Sequence, residues 1–335
     1  MRVKFRKNII TVIFMAVSLF FVSCVTNNPF RVWCLLNPYP NLRTHEFEYA
    51  FLHEMGNLSA DTLVISIEGS GWMSVLGRRW MGIWLTAGMT AQFIQPLGRD
   101  HAFIVPEKWK RNPRSRSGIN SGVYFENYDL RLLYTFENLI EMYATSINTF
   151  LANNHFESIF LIGFSEGAII LPALYQQIYQ RERIRGMVSL AGGGLSVYES
   201  KTILSTDRRT PRRFREMYSY VIENHRKDAE ARLNSTGLDK YGNMLRWLTS
   251  ALKFHPFPYW KNINIPVLFL HGERDFNVAV ESTRYIQENL PEKPFEFIFY
   301  RNIGHTPIFL PLIQSLQFHR IRNDIANWIR RIQNR

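Results

Sequence analysis

The residues best suited to chemistry lie mid-chain, where a serine sits between two glycines: Gly163-Phe164-Ser165-Glu166-Gly167. The apolar run Ser158–Ile162 precedes it, and AIILPALYQQIYQ follows with a helical pattern. A strand, a sharp turn and a helix are the context in which a G-x-S-x-G serine lifts its hydroxyl above a sheet edge. Glycines on both sides let the turn close and the helix approach the strand. The helix N-terminus favours negative charge, and its first amides can stabilise an oxyanion. The pattern alone arises by chance in roughly one chain in ten of this length. An idle serine on a glycine-rich turn is therefore the competing reading unless partners exist.

A serine hydroxyl is a poor nucleophile without a base, and the base needs an orienting acid. Both occur downstream. His271-Gly272-Glu273-Arg274-Asp275 follows the apolar run Pro266–Leu270, and Arg301-Asn302-Ile303-Gly304-His305 follows Phe295–Tyr300. Asp275 and His305 thus each lie just past a strand end, in the order Ser, Asp, His. Glu273 could substitute for Asp275, and His271 is a structural histidine or a second candidate base. Asp239, His101 and His155 are poorly placed, the first among inserted helices and the others before the serine or its strand. For the oxyanion, the turn Glu68-Gly69-Ser70-Gly71 after the strand Thr62–Ile67 offers a backbone N–H from Ser70 or Gly71, and Glu166 offers another. The bland alternative is an ordinary tight turn. This chemistry requires no metal and no organic cofactor.

The elements that must position these residues alternate. Strand-like runs at Thr62–Ile67, Ala102–Val105, Ser158–Ile162, Met187–Leu190, Pro266–Leu270 and Phe295–Tyr300 are separated by helical patterns at about Asp129–Leu151, Glu281–Asn289 and Ser315–Ile332. Several strands are continuously apolar, as parallel strands covered on both faces are. The expectation is an α/β fold with a mostly parallel, doubly wound sheet. After Ala191-Gly192-Gly193-Gly194 the rhythm breaks for about seventy residues. Thr210-Pro211 reads as an N-cap and N1 proline for a helix striped by Phe214, Met217, Tyr218 and Val221, and Tyr241–Phe254 reads as another. Residues 195–260 are expected to form a helical cap inserted before the acid-bearing strand, where α/β ligands bind. Its aromatics, including Trp247, Phe254 and Trp260, either line an apolar pocket or form core.

The N-terminus reads as targeting. Arg2, Lys4, Arg6 and Lys7 precede an apolar run from Ile9 to Val22, short for a membrane span. It ends in Phe21-Val22-Ser23-Cys24, which resembles a bacterial lipoprotein signal with Cys24 as the lipid-attachment site. An ordinary cleaved signal and an uncleaved anchor remain open, and all three export the domain. Cys34 is the only other cysteine, so no disulfide scaffold is expected. The expected organisation is 1–24 signal, 25–45 linker and 46–335 globular domain. The formal charge of +12 is clustered, at Lys108, Lys110, Arg111, Arg114 and Arg116, at Arg208, Arg209, Arg212, Arg213 and Arg215, and at Arg330, Arg331 and Arg335. For an exported protein these read as solvated surface or lipid-headgroup contacts; nucleic acid is not an expected partner.

GFSEG, PVLFLHGERDFNV and RNIGHTP together resemble the α/β-hydrolase superfamily, most closely its bacterial esterases and prolyl-oligopeptidase-like hydrolases. The resemblance runs from about Thr62 to the end. It implies a serine hydrolase acting on a small-molecule ester or acyl substrate, with Ser165 as nucleophile, His305 as base and Asp275 as orienter. A peptidase or amidase with the same residues, and a non-catalytic lipid-tethered binding protein, are the alternatives. One departure is Glu68-Gly69, where many relatives have His-Gly.

Overall fold

The computed structural model describes residues 39–47, 51–70, 75, 78–80, 83–86, 89–107, 133–225, 227–241, 243–305 and 313–335. The signal-like segment with Cys24, together with Cys34, Gly71 and the basic cluster from Lys108 to Arg116, lies outside the described residues.

The strands are β1 (Arg43–Glu46), β2 (Phe51–Gly56), β3 (Thr62–Ile67), β4 (Arg78–Trp80), β5 (Ile83–Thr86), β6 (Ala102–Pro106), β7 (Ser158–Phe164), β8 (Ile184–Leu190), β9 (Val267–Gly272) and β10 (Phe295–Tyr300). Eight of them form one sheet in the order β1-β2-β6-β3-β7-β8-β9-β10. From β6 to β10 every pairing is parallel, while β1–β2 and β2–β6 are antiparallel. The helices are α1 (Met89–Leu97), α2 (Phe136–Asn153), α3 (Glu166–Gln177), α4 (Val197–Thr206), α5 (Arg212–His225), α6 (Ala229–Leu233), α7 (Leu245–Lys253), α8 (Phe257–Trp260), α9 (Glu281–Asn289) and α10 (Ile313–Gln333).

Period-two alternation within buried strands builds two cores. Leu63, Ile65, Ile159 and Leu161 face one side and pack with α2 and α3 residues such as Leu139, Ile147, Ile170 and Leu174. Val64, Phe160 and Ile162 face the other side, against Phe93 and Ile94 of α1 and Ile325 and Trp328 of α10. The sheet is therefore covered on both faces, and its central strands are mostly apolar. Their C-terminal ends share one edge, where Ser165, Asp275 and His305 all emerge.

The structure departs from the sequence expectations in several places. The sheet begins at Arg43, inside the segment 25–45 expected as linker, and β1 and β2 were not foreseen. Their alternation is broken by buried polar residues: His53 faces Thr44 and Glu107, and Glu54 pairs with His45. The hairpin β4–β5 was also missed. β8 starts three residues early because exposed Arg185 and then Gly186 interrupt its apolar run. Helix α2 starts at Phe136, with the Thr135 hydroxyl accepting from the Asn138 N–H, rather than near Asp129. Thr210 is not an N-cap: α5 starts at Arg212, its first turn closes on the Pro211 carbonyl, and the Thr210 hydroxyl finds no partner.

Helices α4 to α8 lie between β8 and β9, over the span read as an insertion. Much of their aromatic content is core: Trp260 is fully buried against Phe269, and Tyr218 and Phe254 are buried. In the arginine cluster, Arg209 pairs with Asp207 and Arg212 with Glu216, and both arginines are largely exposed. No helix among the described residues is long and apolar enough to cross a membrane.

Candidate active site

Ser165 occupies the single position between β7 and α3. Its backbone is at φ 53° and ψ −115°, a conformation an L-residue adopts only at a cost. Three contacts hold it there. The Ser165 N–H donates to the Leu190 carbonyl at 2.9 Å, the Ser165 carbonyl accepts from the Ile169 N–H at 2.9 Å, and α3 lies tight against the sheet. The tightness depends on glycine. A Cβ on Gly163 would stand 2.6 Å from the Gly167 carbonyl oxygen, and one on Gly167 would collide with the carbonyl of Ile67 in β3. The two glycines are thus required by close approach of backbone to backbone.

The Ser165 Oγ lies 2.8 Å from His305 Nε2, and His305 Nδ1 lies 2.8 Å from Asp275 Oδ2. The other carboxylate oxygen of Asp275 accepts from the N–H groups of Asn277 and Val278, at 2.7 and 2.9 Å. Asp275 is buried. Burial pushes its carboxyl up, but His305 beside it and hydrogen bonds from His271 and His305 outweigh that and hold it well below the usual carboxylate range. An ionised Asp275 fixes the hydrogen of His305 on Nδ1 and leaves Nε2 free to accept from Ser165. Phe164 packs against the His305 ring, with centroids 5.4 Å apart.

The competing residues are committed elsewhere. His271 is fully buried; its Nε2 meets the Val278 carbonyl at 3.0 Å, its Nδ1 meets the Thr283 hydroxyl at 2.7 Å, and Asp275 is 3.4 Å away. It braces the acid loop and does not face Ser165. Glu273 pairs with Arg284, Asp239 caps the turn at Tyr241 and Asn243, His101 bonds the Leu97 carbonyl and Gln333, and His155 meets Arg183.

The turn after β3 abuts the serine: a Cβ on Gly69 would lie 3.1 Å from the Ser165 Cβ and 3.0 Å from the Phe164 ring. Ser70 follows it and is exposed, while Gly71 falls outside the described residues. Glu68, the departure noted above, has a structural task. Its buried carboxylate accepts from the Thr90 N–H at 2.7 Å and the Thr90 hydroxyl at 2.6 Å, at the first turn of α1. A carboxylate there satisfies helix-end donors and complements the helix dipole, tying the Gly69 turn to α1.

Glu166 likewise acquires partners that its sequence position did not reveal. Its carboxylate accepts from the indole N–H of Trp247, on α7, at 2.6 Å and from the hydroxyl of Tyr134 at 3.3 Å. The rings of Tyr134 and Trp247 stack on each other. The residue after Ser165 is therefore anchored to the inserted helices. No local pattern announces such a partner 81 residues away.

No family model matches the chain, and neither does any curated protein sequence. Solved structures do match in shape. Est1E from Butyrivibrio proteoclasticus aligns with TM-score 0.52 at 10% identity, over 86% of this chain and 98% of that one. A lipase-esterase related protein from Clostridium acetobutylicum aligns with TM-score 0.50 at 16% identity, over 82% and 98%. The acylaminoacyl peptidase of Pyrococcus horikoshii aligns with TM-score 0.54 at 12% identity, over 88% of this chain. The fold is that of the α/β-hydrolases. The chain spans 42% of the peptidase's length, so only part of that protein has a counterpart here. At these identities the likeness speaks for the α/β-hydrolase fold, and the chemistry must be argued from the side chains.

Proposed function

We propose that this α/β-hydrolase-fold chain is a serine hydrolase that cleaves carboxylic esters through an acyl-enzyme. The observation carrying the reading is the unbroken relay from Ser165 Oγ through the His305 ring to Asp275, with both hydrogen bonds at 2.8 Å. It starts from a serine held at a strained turn. A merely structural serine needs neither.

In the first half-reaction His305 Nε2 takes the Ser165 proton as Oγ bonds to the ester carbonyl carbon. The negative charge on the carbonyl oxygen is met by the Glu166 N–H and by an N–H of Ser70 or Gly71. The intermediate collapses, the carbon–alkoxide bond breaks, and His305 returns the proton to the leaving alcohol. Water then attacks the acyl carbon with His305 again as base, and Ser165 leaves with its proton restored. Asp275 keeps its charge throughout and stabilises the imidazolium each time it forms.

An active-site fluorophosphonate should label the wild type and not Ser165→Ala; equal labelling of both would sink the assignment. The same residues serve amide hydrolysis, and one structural neighbour is a peptidase. Short acyl p-nitrophenyl esters assayed beside acyl-amino-acid anilides separate the two. A feruloyl ester belongs in the panel because Est1E has been solved with ferulic acid bound.

We further propose that the chain is exported and tethered to a bacterial membrane by lipid on Cys24, on the strength of the basic, apolar, Ser23-Cys24 order of its first residues. Metabolic labelling with an alkynyl fatty acid should mark the full-length protein and not Cys24→Ala. Labelling that survives the substitution would refute it.

A further inference from the structure

The acid loop is held from behind by the inserted helices. Three side chains of α4 and α5 grip the backbone that follows Asp275. The Lys201 ammonium donates to the Asn277 carbonyl at 2.6 Å. The Tyr218 hydroxyl donates to the Phe276 carbonyl at 2.6 Å and lies 3.1 Å from Asn277 Oδ1. The Ser200 hydroxyl oxygen accepts from the Ala279 N–H at 2.8 Å. The Lys201 nitrogen also stands 4.2 Å from the centre of the Tyr218 ring, so cation and aromatic form one unit.

The gripped segment is the one that aims the acid. Asp275 Oδ1 is fixed by the N–H groups of Asn277 and Val278, which leaves Oδ2 for His305. If the 276–278 backbone shifts, the carboxylate turns and His305 loses its orientation. For packing alone, a methionine of similar reach would fill the space of Lys201. The ammonium adds a charge-assisted bond and a positive charge facing Asp275.

Resting on the reading of Ser165, His305 and Asp275 as a catalytic relay, we propose that Lys201 is a positioning residue for that relay, acting with Tyr218 through the Phe276–Asn277 backbone. The insertion then serves the chemistry directly, besides standing where a substrate cover belongs.

The proposal has a pH signature. The titratable groups facing the Lys201 ammonium are Asp275, from the loop after β9, and Tyr218, from α5; Glu199 on its own helix is committed to the Ser196 cap. Burial lowers the Lys201 amine and Asp275 opposes that, leaving it to lose its proton at about 8. Burial, and next the Asp275 charge, push Tyr218 above its ordinary value, so it stays neutral through this range. Above pH 8 the clamp keeps a neutral N–H donor but loses its charge.

The test is the rate of fluorophosphonate labelling and of p-nitrophenyl ester turnover, measured from pH 6 to pH 10. The variants are wild type, Lys201→Met, Lys201→Arg and Tyr218→Phe, with Ser165→Ala as control. The wild-type rate should fall above about pH 8. Lys201→Met should be slower at pH 7 on the order of 10-fold, through kcat with KM unchanged, and should lack that fall. Lys201→Arg, charged throughout, should keep near-wild-type activity to higher pH. A Lys201→Met enzyme with wild-type kcat and pH profile would overturn the proposal. Should that variant fail to fold, matching pH profiles for wild type and Lys201→Arg would overturn it equally. Failure of the underlying relay reads differently, as no Ser165-dependent labelling in the wild type at any pH.

Discussion

Replacing Trp247 by Phe removes one hydrogen-bond donor from a buried carboxylate and keeps an aromatic ring in place. The Trp247 N–H to Glu166 bond is 2.6 Å long, and Glu166 is 3% exposed. A hydrogen bond to a charged group contributes about 1.5–3 kcal/mol, and trimming indole to phenyl against Tyr134 and Phe136 costs about 1 kcal/mol more in lost packing. Trp247→Phe should therefore destabilise by about 3 kcal/mol in urea unfolding. Glu166→Gln keeps an oxygen acceptor and removes a charge whose burial is itself costly, so its own effect should be under about 1 kcal/mol. The discriminating quantity is the double mutant. Removing the Trp247 donor leaves Tyr134 on the other oxygen but takes one hydrogen bond from a carboxylate in the wild type and only from an amide in Glu166→Gln, and a buried charge that loses a donor costs more. The Trp247→Phe penalty should shrink by about 1–2 kcal/mol in the Gln background. Ester turnover should report the same link: if the Glu166 N–H serves the oxyanion, loosening its side chain lowers kcat on the order of 10-fold and moves KM less. Additivity of the two substitutions within about 0.5 kcal/mol, with kcat unchanged, would refute the coupling of α7 to the residue after Ser165.

Other substitutions test other joints. Glu68→Ala leaves the buried Thr90 N–H without its carboxylate partner and should cost about 2–4 kcal/mol, whereas Glu68→Gln, which retains an acceptor, should cost under about 1 kcal/mol; urea midpoints compare them. Gly167→Ala drives a methyl into the Ile67 carbonyl and should yield protein that is unfolded or lacks Ser165 labelling, read by circular dichroism and probe gels. Asp275 has a folded-state pKa below its unfolded one, so its contribution to stability is complete above the ordinary carboxylate range of about 4 and fades as pH falls below it. The stability difference between wild type and Asp275→Asn should accordingly narrow on acidification from pH 6 to pH 3 in thermal melts.

The readable part of this chain is what local pattern encodes. Apolar runs such as Thr62–Ile67 and Ser158–Ile162 announced buried parallel strands. A small-residue turn announced Ser165, and strand-end positions announced Asp275 and His305. The unreadable part depends on partners distant in sequence. β1 and β2 were hidden because Glu54 meets His45, and His53 meets Thr44, only across the paired strands. Glu68 and Glu166 looked like unassigned carboxylates because Thr90 and Trp247 lie 22 and 81 residues away. Lys201 sits in a helix with no pattern pointing to it, and only packing of α4 and α5 behind the acid loop brings its ammonium to Asn277.

The sequence by itself determined the alternation of strands and helices, the strained serine turn and the order of the three relay residues, because period, glycine placement and strand ends are local properties. Tertiary structure alone decided that His271 braces the acid loop, what the two acidic neighbours of the site hold, and that the inserted helices grip the acid loop. Those outcomes depend on hydrogen bonds of about 3 Å between segments that become neighbours only when the sheet is assembled.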